Sequence, residues 1–206
     1  MASTGTALII GAGIGGITTS IFLAKNGYRV DVYEMNSSAG GRCGQIVRDG
    51  HRFDLGATMM LMPDVYRDVF GSLGLTLEKE LSVKPLDDIY SLYFDDGNRL
   101  DFTTDRKRME EQLEKIEKGS FARAEKYVST GFALYKTAFE KLIGRNFTRF
   151  FDFFTLSNAL LLIKLKTYIS HSRYTARFFR SEHLKMAYTF QNIYVGQSPY
   201  YSPAIF

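Results

Sequence analysis

Leu8-Ile9-Ile10-Gly11-Ala12-Gly13-Ile14-Gly15-Gly16 stands near the start of this 206-residue chain, and an acid, Glu34, follows at the end of the next apolar run. Residues 6–10 have the character of a buried parallel strand. Gly11 permits a tight turn, Gly13 lets backbone approach a pyrophosphate, and Gly16 lets a helix lie close to the strand. Residues 14–26 carry a helical pattern that Gly27 stops. The start of that helix aims unpaired N–H groups and a positive dipole end at the phosphates, and Ala12, Ile14 and Gly15 join the three glycines as cofactor-binding candidates. Residues 30–33 read as a second strand, and Glu34 lies 18 residues beyond Gly16, placed to accept a hydrogen bond from a ribose. A strand before the glycines, a helix after them and an acid at this distance together mark a dinucleotide-binding βαβ unit. A carboxylate at the ribose repels a 2′-phosphate, so NADP is disfavoured, while FAD and NAD both fit the spacing.

The next stretch separates those two. Ala39-Gly40-Gly41-Arg42 is followed by Phe53-Asp54-Leu55-Gly56-Ala57-Thr58. Here the chain resembles the FAD-dependent amine oxidase and phytoene desaturase superfamily. The resemblance implies FAD as cofactor, with Glu34 on the adenosine ribose, Gly41 and Arg42 beside the pyrophosphate, and Gly56, Ala57 and Thr58 near the flavin ring. Arg42 would be a permanent cation beside two phosphate charges. Glu182-His183-Leu184 and the run Phe190-Gln191-Asn192-Ile193-Tyr194-Val195-Gly196-Gln197-Ser198-Pro199-Tyr200 are similar to the phytoene desaturase type in particular.

From this likeness the expected fold is α/β: a Rossmann-like βαβ start of an FAD-binding domain of the GR type, followed by a largely helical substrate- and membrane-binding region. Residues 1–103 are expected to form part of the FAD domain with inserted hairpins, and residues 104–206 a helical, basic and aromatic region. The expected activity is removal of two electrons from a carbon–carbon unit of a lipophilic, carotenoid-like polyene to the flavin. Another flavoenzyme of the superfamily (an amine oxidase, carotenoid isomerase or saturase) or a non-catalytic FAD-binding fragment is the alternative. The family's remaining sheet strands and its late flavin-contacting motif have no counterpart in these residues. The chain therefore reads as an N-terminal portion, completed by a further segment or a complementary chain, and by itself it is expected to be inactive and to bind FAD weakly or aggregate.

Hairpins are expected around Asp49-Gly50 and around residues 95–98, and a helix over residues 64–73. Thr103 or Thr104 is expected to cap a charged helix reaching about Lys118, with Met109, Leu113 and Ile116 as its apolar stripe. Residues 120–183 read as helical, with breaks near Gly144 and Ser170.

Composition fits an intracellular, cytoplasmic globular protein, with 45% hydrophobic and 23% charged residues. Cys43 is the single cysteine, which rules out an intrachain disulfide; it reads as a small buried residue. No leader signal is recognisable in the first residues. Charge is concentrated late. Nine basic and two acidic residues lie within residues 141–185, against a whole-chain net charge of +4. The same stretch holds Phe147, Phe150, Phe151, Phe153 and Phe154, then Leu160, Leu161, Leu162, Ile163 and Leu165. That mixture suits peripheral contact with an anionic membrane surface. The apolar run is too short to span a bilayer, and no nucleic-acid-reading motif accompanies the charge. No metal-ligand spacing and no catalytic base can be named. His51, His171 and His183 are candidates by residue type alone. Asp152 is expected to turn to water or to Arg149.

Overall fold

The computed structural model describes residues 5–56 and 60–204. They divide into two compact units, Met1–Lys84 and Pro85–Phe206. The division falls earlier than the expected one after residue 103.

In the first unit, β1 (Gly5–Ile10) leads through the glycine loop into α1 (Ile14–Lys25) and back to β2 (Tyr28–Tyr33). The two strands are parallel and in step, from Gly5 opposite Tyr28 to Ile10 opposite Tyr33. Gly27, at φ +85°, makes the helix-to-strand turn that only a residue without Cβ takes easily. A 3₁₀ turn at Gly41–Cys43 leads into a hairpin of β3 (Gln45–Arg48) and β4 (His51–Asp54), turned at Asp49 and Gly50. The helices α2 (Pro63–Ser72) and α3 (Leu77–Glu80) follow, joined through Arg67, which bridges Asp64 and Glu78 at 2.8 and 2.7 Å.

The expectation of a buried first strand is corrected. β1 alternates, with Ile9 on the side of α1 and Leu8 and Ile10 turned away and 66% and 93% exposed. A parallel sheet buries both faces only when helices cover both, and among the described residues α1 covers one. Cys43 is likewise exposed rather than buried, because it stands in the surface 3₁₀ turn.

The second unit holds the apolar core. A hairpin of β5 (Asp88–Tyr93) and β6 (Arg99–Thr103) packs against α4 (Arg106–Ile116), which is followed by the long α5 (Ser120–Ala138). Leu100, Met109, Leu113, Phe121, Ala124, Tyr127, Phe179, Leu184 and Tyr188 form one buried cluster. Met109 and Leu113 thus point inward at the helical spacing the sequence implies. The cap of α4 is a correction: Asp105, not either threonine, accepts the N–H groups of Lys107 and Arg108 at 3.0 and 3.1 Å.

Residues 120–183 are less continuous than their pattern implies. A π turn at Phe139–Ile143 closes α5, and Gly144 ends it with an N–H bonded to the Phe139 carbonyl at 2.9 Å. Short helices then follow: α6 (Phe150–Phe153), α7 (Leu156–Lys164), α8 (His171–Thr175) and α9 (Glu182–Thr189), the last running into a 3₁₀ turn at Phe190–Val195. Side chains of Thr155 and Ser170 cap α7 and α8. No helix among the described residues is long and apolar enough to cross a membrane.

Candidate functional site: the glycine loop and its clamp

The site is built from the ends of β1 and β2. Gly11, at φ +99°, turns the chain out of β1, and its N–H bonds the Tyr33 carbonyl at the end of β2 at 2.7 Å. The two strand ends are therefore tied where the loop begins. Gly16 is required by packing: a Cβ there would lie 1.9 Å from the Gly11 carbonyl oxygen and 3.4 Å from Cγ2 of Ile9. Gly13 is different. It caps α1 in extended conformation (φ −76°, ψ 179°), and a Cβ on it would meet no atom of the chain within 4 Å. No side chain caps α1 and no acid stands in its first turn, so the N–H groups of Ile14, Gly15 and Gly16 keep the helix's positive end.

Glu34 follows β2 directly. Its Oε2 accepts the Ala12 N–H at 2.7 Å, while Oε1 accepts both the backbone N–H and the Nδ2 of Asn36 at 2.9 and 2.8 Å. These donors, those of Asn36 first, hold the carboxyl below the usual range, so it stays charged. On the other side, the Gly40 N–H bonds the Ala12 carbonyl at 2.8 Å, and Gly13 and Gly40 form a parallel bridge. Gly41, at φ +57°, stands so near that a Cβ on it would lie 3.2 Å from Cα of Gly13. Gly56 meets the same turn: a Cβ there would sit 1.9 Å from the Arg42 carbonyl oxygen. The fold thus gathers Gly11, Ala12, Gly13, Ile14, Gly15, Gly16, Glu34, Gly41, Arg42 and Gly56 in one unit from four separated stretches. Ala57 and Thr58 lie outside the described residues.

Two fit tests bear on a dinucleotide. The cradle is open where a pyrophosphate must approach, at Gly13, and closed where helix must meet strand, at Gly16. The carboxylate that would meet a ribose is charged. The residues fit such a group.

The other candidates do different work. His171 is fully buried, between the Tyr127 hydroxyl at Nε2 and Oδ1 of Asn192 at Nδ1. Burial lowers its pKa, so the ring is neutral. The Tyr127 oxygen also lies 3.0 Å from the Tyr188 carbonyl oxygen. This is a polar knot inside the core. His183 ties α9 to the β5–β6 turn, with Nε2 2.9 Å from Oδ2 of Asp96 and its ring 4.4 Å from that of Phe94. Asp152 accepts the Arg149 N–H at 2.9 Å and the Thr148 hydroxyl at 3.2 Å, which makes it a helix-start acceptor. His51 stands in the exposed strand β4, its ring 6.4 Å from that of Phe53. Sequence reasoning missed Asn36. Its signal is weak but physical: an Asn two positions after an acid offers its own amide and side chain to that carboxylate. Among the described residues no cluster suited to a metal ion occurs.

Residues 9–73 match the family described as NAD(P)-binding Rossmann-like domain. The chain is 34% identical over 199 residues to a zeta-carotene-forming phytoene desaturase of Myxococcus xanthus, covering 97% of this chain and 38% of that protein. It is 34% identical to a phytoene desaturase of Phycomyces blakesleeanus, covering 97% of this chain and 34% of the relative. For a 4,4'-diapophytoene desaturase of Staphylococcus aureus, the figures are 31% identity with 96% and 39% coverage. The chain therefore spans just over a third of the length of these relatives. In fold it is similar to a putrescine oxidase mutant, with a TM-score of 0.51 at 16% identity, covering 89% of this chain and 35% of that one. The Rossmann-like start and the helical continuation agree with these likenesses: over nearly its whole length the chain is similar to phytoene and diapophytoene desaturases, and its fold is similar to that of an amine oxidase.

Proposed function

We propose that this chain binds the adenosine and pyrophosphate parts of FAD and serves a flavoenzyme that desaturates a carotenoid-like polyene. The observation that carries the reading is the glycine loop clamped between Glu34 and Gly40, with Gly13 open and Gly16 closed. The N–H groups of Ile14, Gly15 and Gly16 would receive the pyrophosphate at the start of α1. Arg42 would add a fixed positive charge. Glu34 would accept a ribose hydroxyl and, being charged, reject a 2′-phosphate. Gly56, Ala57 and Thr58 would line the side nearer the flavin ring. Bound FAD supplies the two-electron acceptor; the chain's part is to hold and orient it.

The polyene substrate rests on the named activities of the relatives, which this chain matches over nearly its whole length. The surface of the second unit supports a lipid-soluble substrate. Phe150, Phe151, Phe154, Leu156, Leu160 and Ile163 are each more than half exposed, beside Arg145, Arg149, Lys164 and Lys166. An exposed aromatic face with basic flanks suits peripheral docking on the cytoplasmic face of an anionic membrane.

The test of the cofactor is quenching of flavin fluorescence on titration with the chain. Glu34→Ala should weaken FAD binding roughly tenfold or more, the loss expected of one charge-assisted hydrogen bond. Unchanged affinity would sink the assignment. The test of the surface is flotation with liposomes at low salt. Recovery should rise with acidic lipid and fall in Phe150→Ser/Phe151→Ser; equal recovery without acidic lipid would count against docking. The test of the activity, made with the chain completed by its further segment or complementary chain, is conversion of phytoene in such liposomes, with FAD present, to products absorbing at longer wavelength. Turnover of amines instead would move the reading to another branch of the superfamily.

A further inference from the structure

The Glu34 carboxylate is already occupied in this fold. A carboxylate has about four acceptor positions, and three are taken: the Ala12 N–H on Oε2, and the backbone N–H and Nδ2 of Asn36 on Oε1. Asn36 brings two of those three donors. Both fall on the same oxygen, so they fix the rotation of the carboxylate about its own axis. That rotation points Oε2 at Ala12, the residue whose carbonyl is held by Gly40 at 2.8 Å. Ala12 is also one of the few buried apolar residues of the first unit, at 6% exposed. The loop residue between Gly11 and Gly13 is thus pinned at its N–H by Glu34 and at its C=O by Gly40. Asn36 itself is exposed, and among the described residues its hydrogen bonds run to Glu34 and not to the loop.

We infer that Asn36 is a positioning residue for the dinucleotide site: it sets the Glu34 carboxylate so that one oxygen clamps the glycine loop and leaves a single acceptor position for a ribose hydroxyl. This rests on the dinucleotide reading above. The loop is then shaped before any ligand arrives, and less ordering is left to be done on binding. A side-chain donor at position 36 is what the clamp needs. Asp at that position keeps the shape and the backbone N–H, yet it removes the Nδ2 donor and sets a second negative charge against Oε1.

The experiment compares the wild-type chain with Asn36→Ala, Asn36→Asp and Asn36→Ser. Two quantities are read: affinity for FAD and for ADP, and the pH titration of the Ala12 amide resonance in the ligand-free protein. Far-UV circular dichroism and melting temperature report the fold. Asn36→Ala should weaken both ligands about two- to tenfold, the range of one ordinary hydrogen bond. Asn36→Asp should weaken them further, and Asn36→Ser, which keeps a donor, should recover part of the loss. The titration midpoint of the Ala12 amide should rise towards the ordinary carboxylate value in Asn36→Ala, with melting unchanged. A residue that merely supported the fold would leave that midpoint alone. Wild-type affinity and midpoint in Asn36→Ala and Asn36→Asp would overturn the assignment. If the wild-type chain binds neither FAD nor ADP, the dinucleotide reading falls and the assignment with it; the amide titration identifies that case, because it still reports the Asn36–Glu34–Ala12 contact.

Discussion

Two alanines, three residues apart, should have opposite consequences. At Gly16 a Cβ would lie 1.9 Å from the Gly11 carbonyl oxygen. That is more than an ångström inside an ordinary nonbonded separation of about 3.5 Å. The obstacle is backbone, fixed by the Gly11 N–H bond to Tyr33, so it cannot swing aside as a flexible side chain would. Overpacking costs about 1–3 kcal/mol, with rigid neighbours at the upper end. Alanine's better helix propensity returns up to about 1 kcal/mol, leaving a net loss of about 2 kcal/mol for Gly16→Ala. At roughly 2–4 °C per kcal/mol for a chain of this size, that is a fall of about 4–8 °C in melting temperature. Gly13→Ala meets nothing within 4 Å, and its φ of −76° is one alanine adopts freely. Its stability should stay within about 0.5 kcal/mol of wild type, since the lost freedom of the unfolded chain offsets a slightly poorer cap. Its FAD affinity should nevertheless drop, because the new methyl stands where backbone would face a pyrophosphate. The assay is thermal unfolding with and without FAD, beside fluorescence titration. Unchanged stability and affinity in Gly13→Ala would refute the view that ligand, not protein, demands that glycine. A wild-type melting temperature in Gly16→Ala would refute the close contact of α1 with the end of β1.

Leu113 is fully buried, so Leu113→Ala should destabilise the second unit by about 2–5 kcal/mol in chemical denaturation. Asp105→Ala removes the acceptor for two N–H groups at the start of α4 and should cost about 1 kcal/mol by the same measurement. Burial keeps the His171 pKa below its ordinary 6.5, so the unfolded chain takes up a proton before the folded one as pH falls. Stability should therefore decline below about pH 6.5, by no more than about 1.4 kcal/mol per pH unit, until the folded pKa is reached. Denaturation midpoints across that range should show this slope in wild type and a reduced one in His171→Gln; parallel slopes would place the titration elsewhere.

The first unit was legible where chemistry forces a residue type. Gly16, the acid Glu34 and the Asp49-Gly50 turn each answer a local steric or electrostatic demand, and local demands survive in sequence. Burial was not legible there, because whether Leu8 and Ile10 are covered depends on what lies across the sheet. The second unit resisted for another reason. Residues 145–195 contain neither Gly nor Pro, so nothing punctuates the apolar pattern. Its breaks are written in Thr155 and Ser170, whose side chains cap, and in Lys166, which turns at φ +57°. The start of α9 has Ser181 at its cap, yet that side chain makes no cap bond; instead Glu117 accepts the N–H groups of Arg180 and Ser181 at 2.9 and 2.7 Å from 63 and 64 residues away. Asp105 lost to the threonines in the reading because all three types cap well, and only the backbone decides among neighbours. His171 shows the same limit. Its partners Tyr127 and Asn192 lie 44 and 21 residues away, so a lone histidine in an aromatic stretch gave no hint of the knot it closes.

The uneven placing of the core has a consequence for how the chain opens. Of the buried hydrophobic residues described, Ala12 and Leu77 alone belong to the first unit; the rest lie in the second. Regions with few apolar contacts and a backbone held by exposed hydrogen bonds open at the lowest free energy. Amide exchange should therefore run fastest along β1, β2 and the glycine loop, and a protease should nick there while the aromatic core of the second unit stays shut. A ligand that binds only the closed loop raises that threshold by mass action, in proportion to the logarithm of its concentration over its dissociation constant. In such a unit a bound dinucleotide is more than a reagent. It would take over the part that buried side chains play elsewhere, and saturation with it would govern how long the first unit survives.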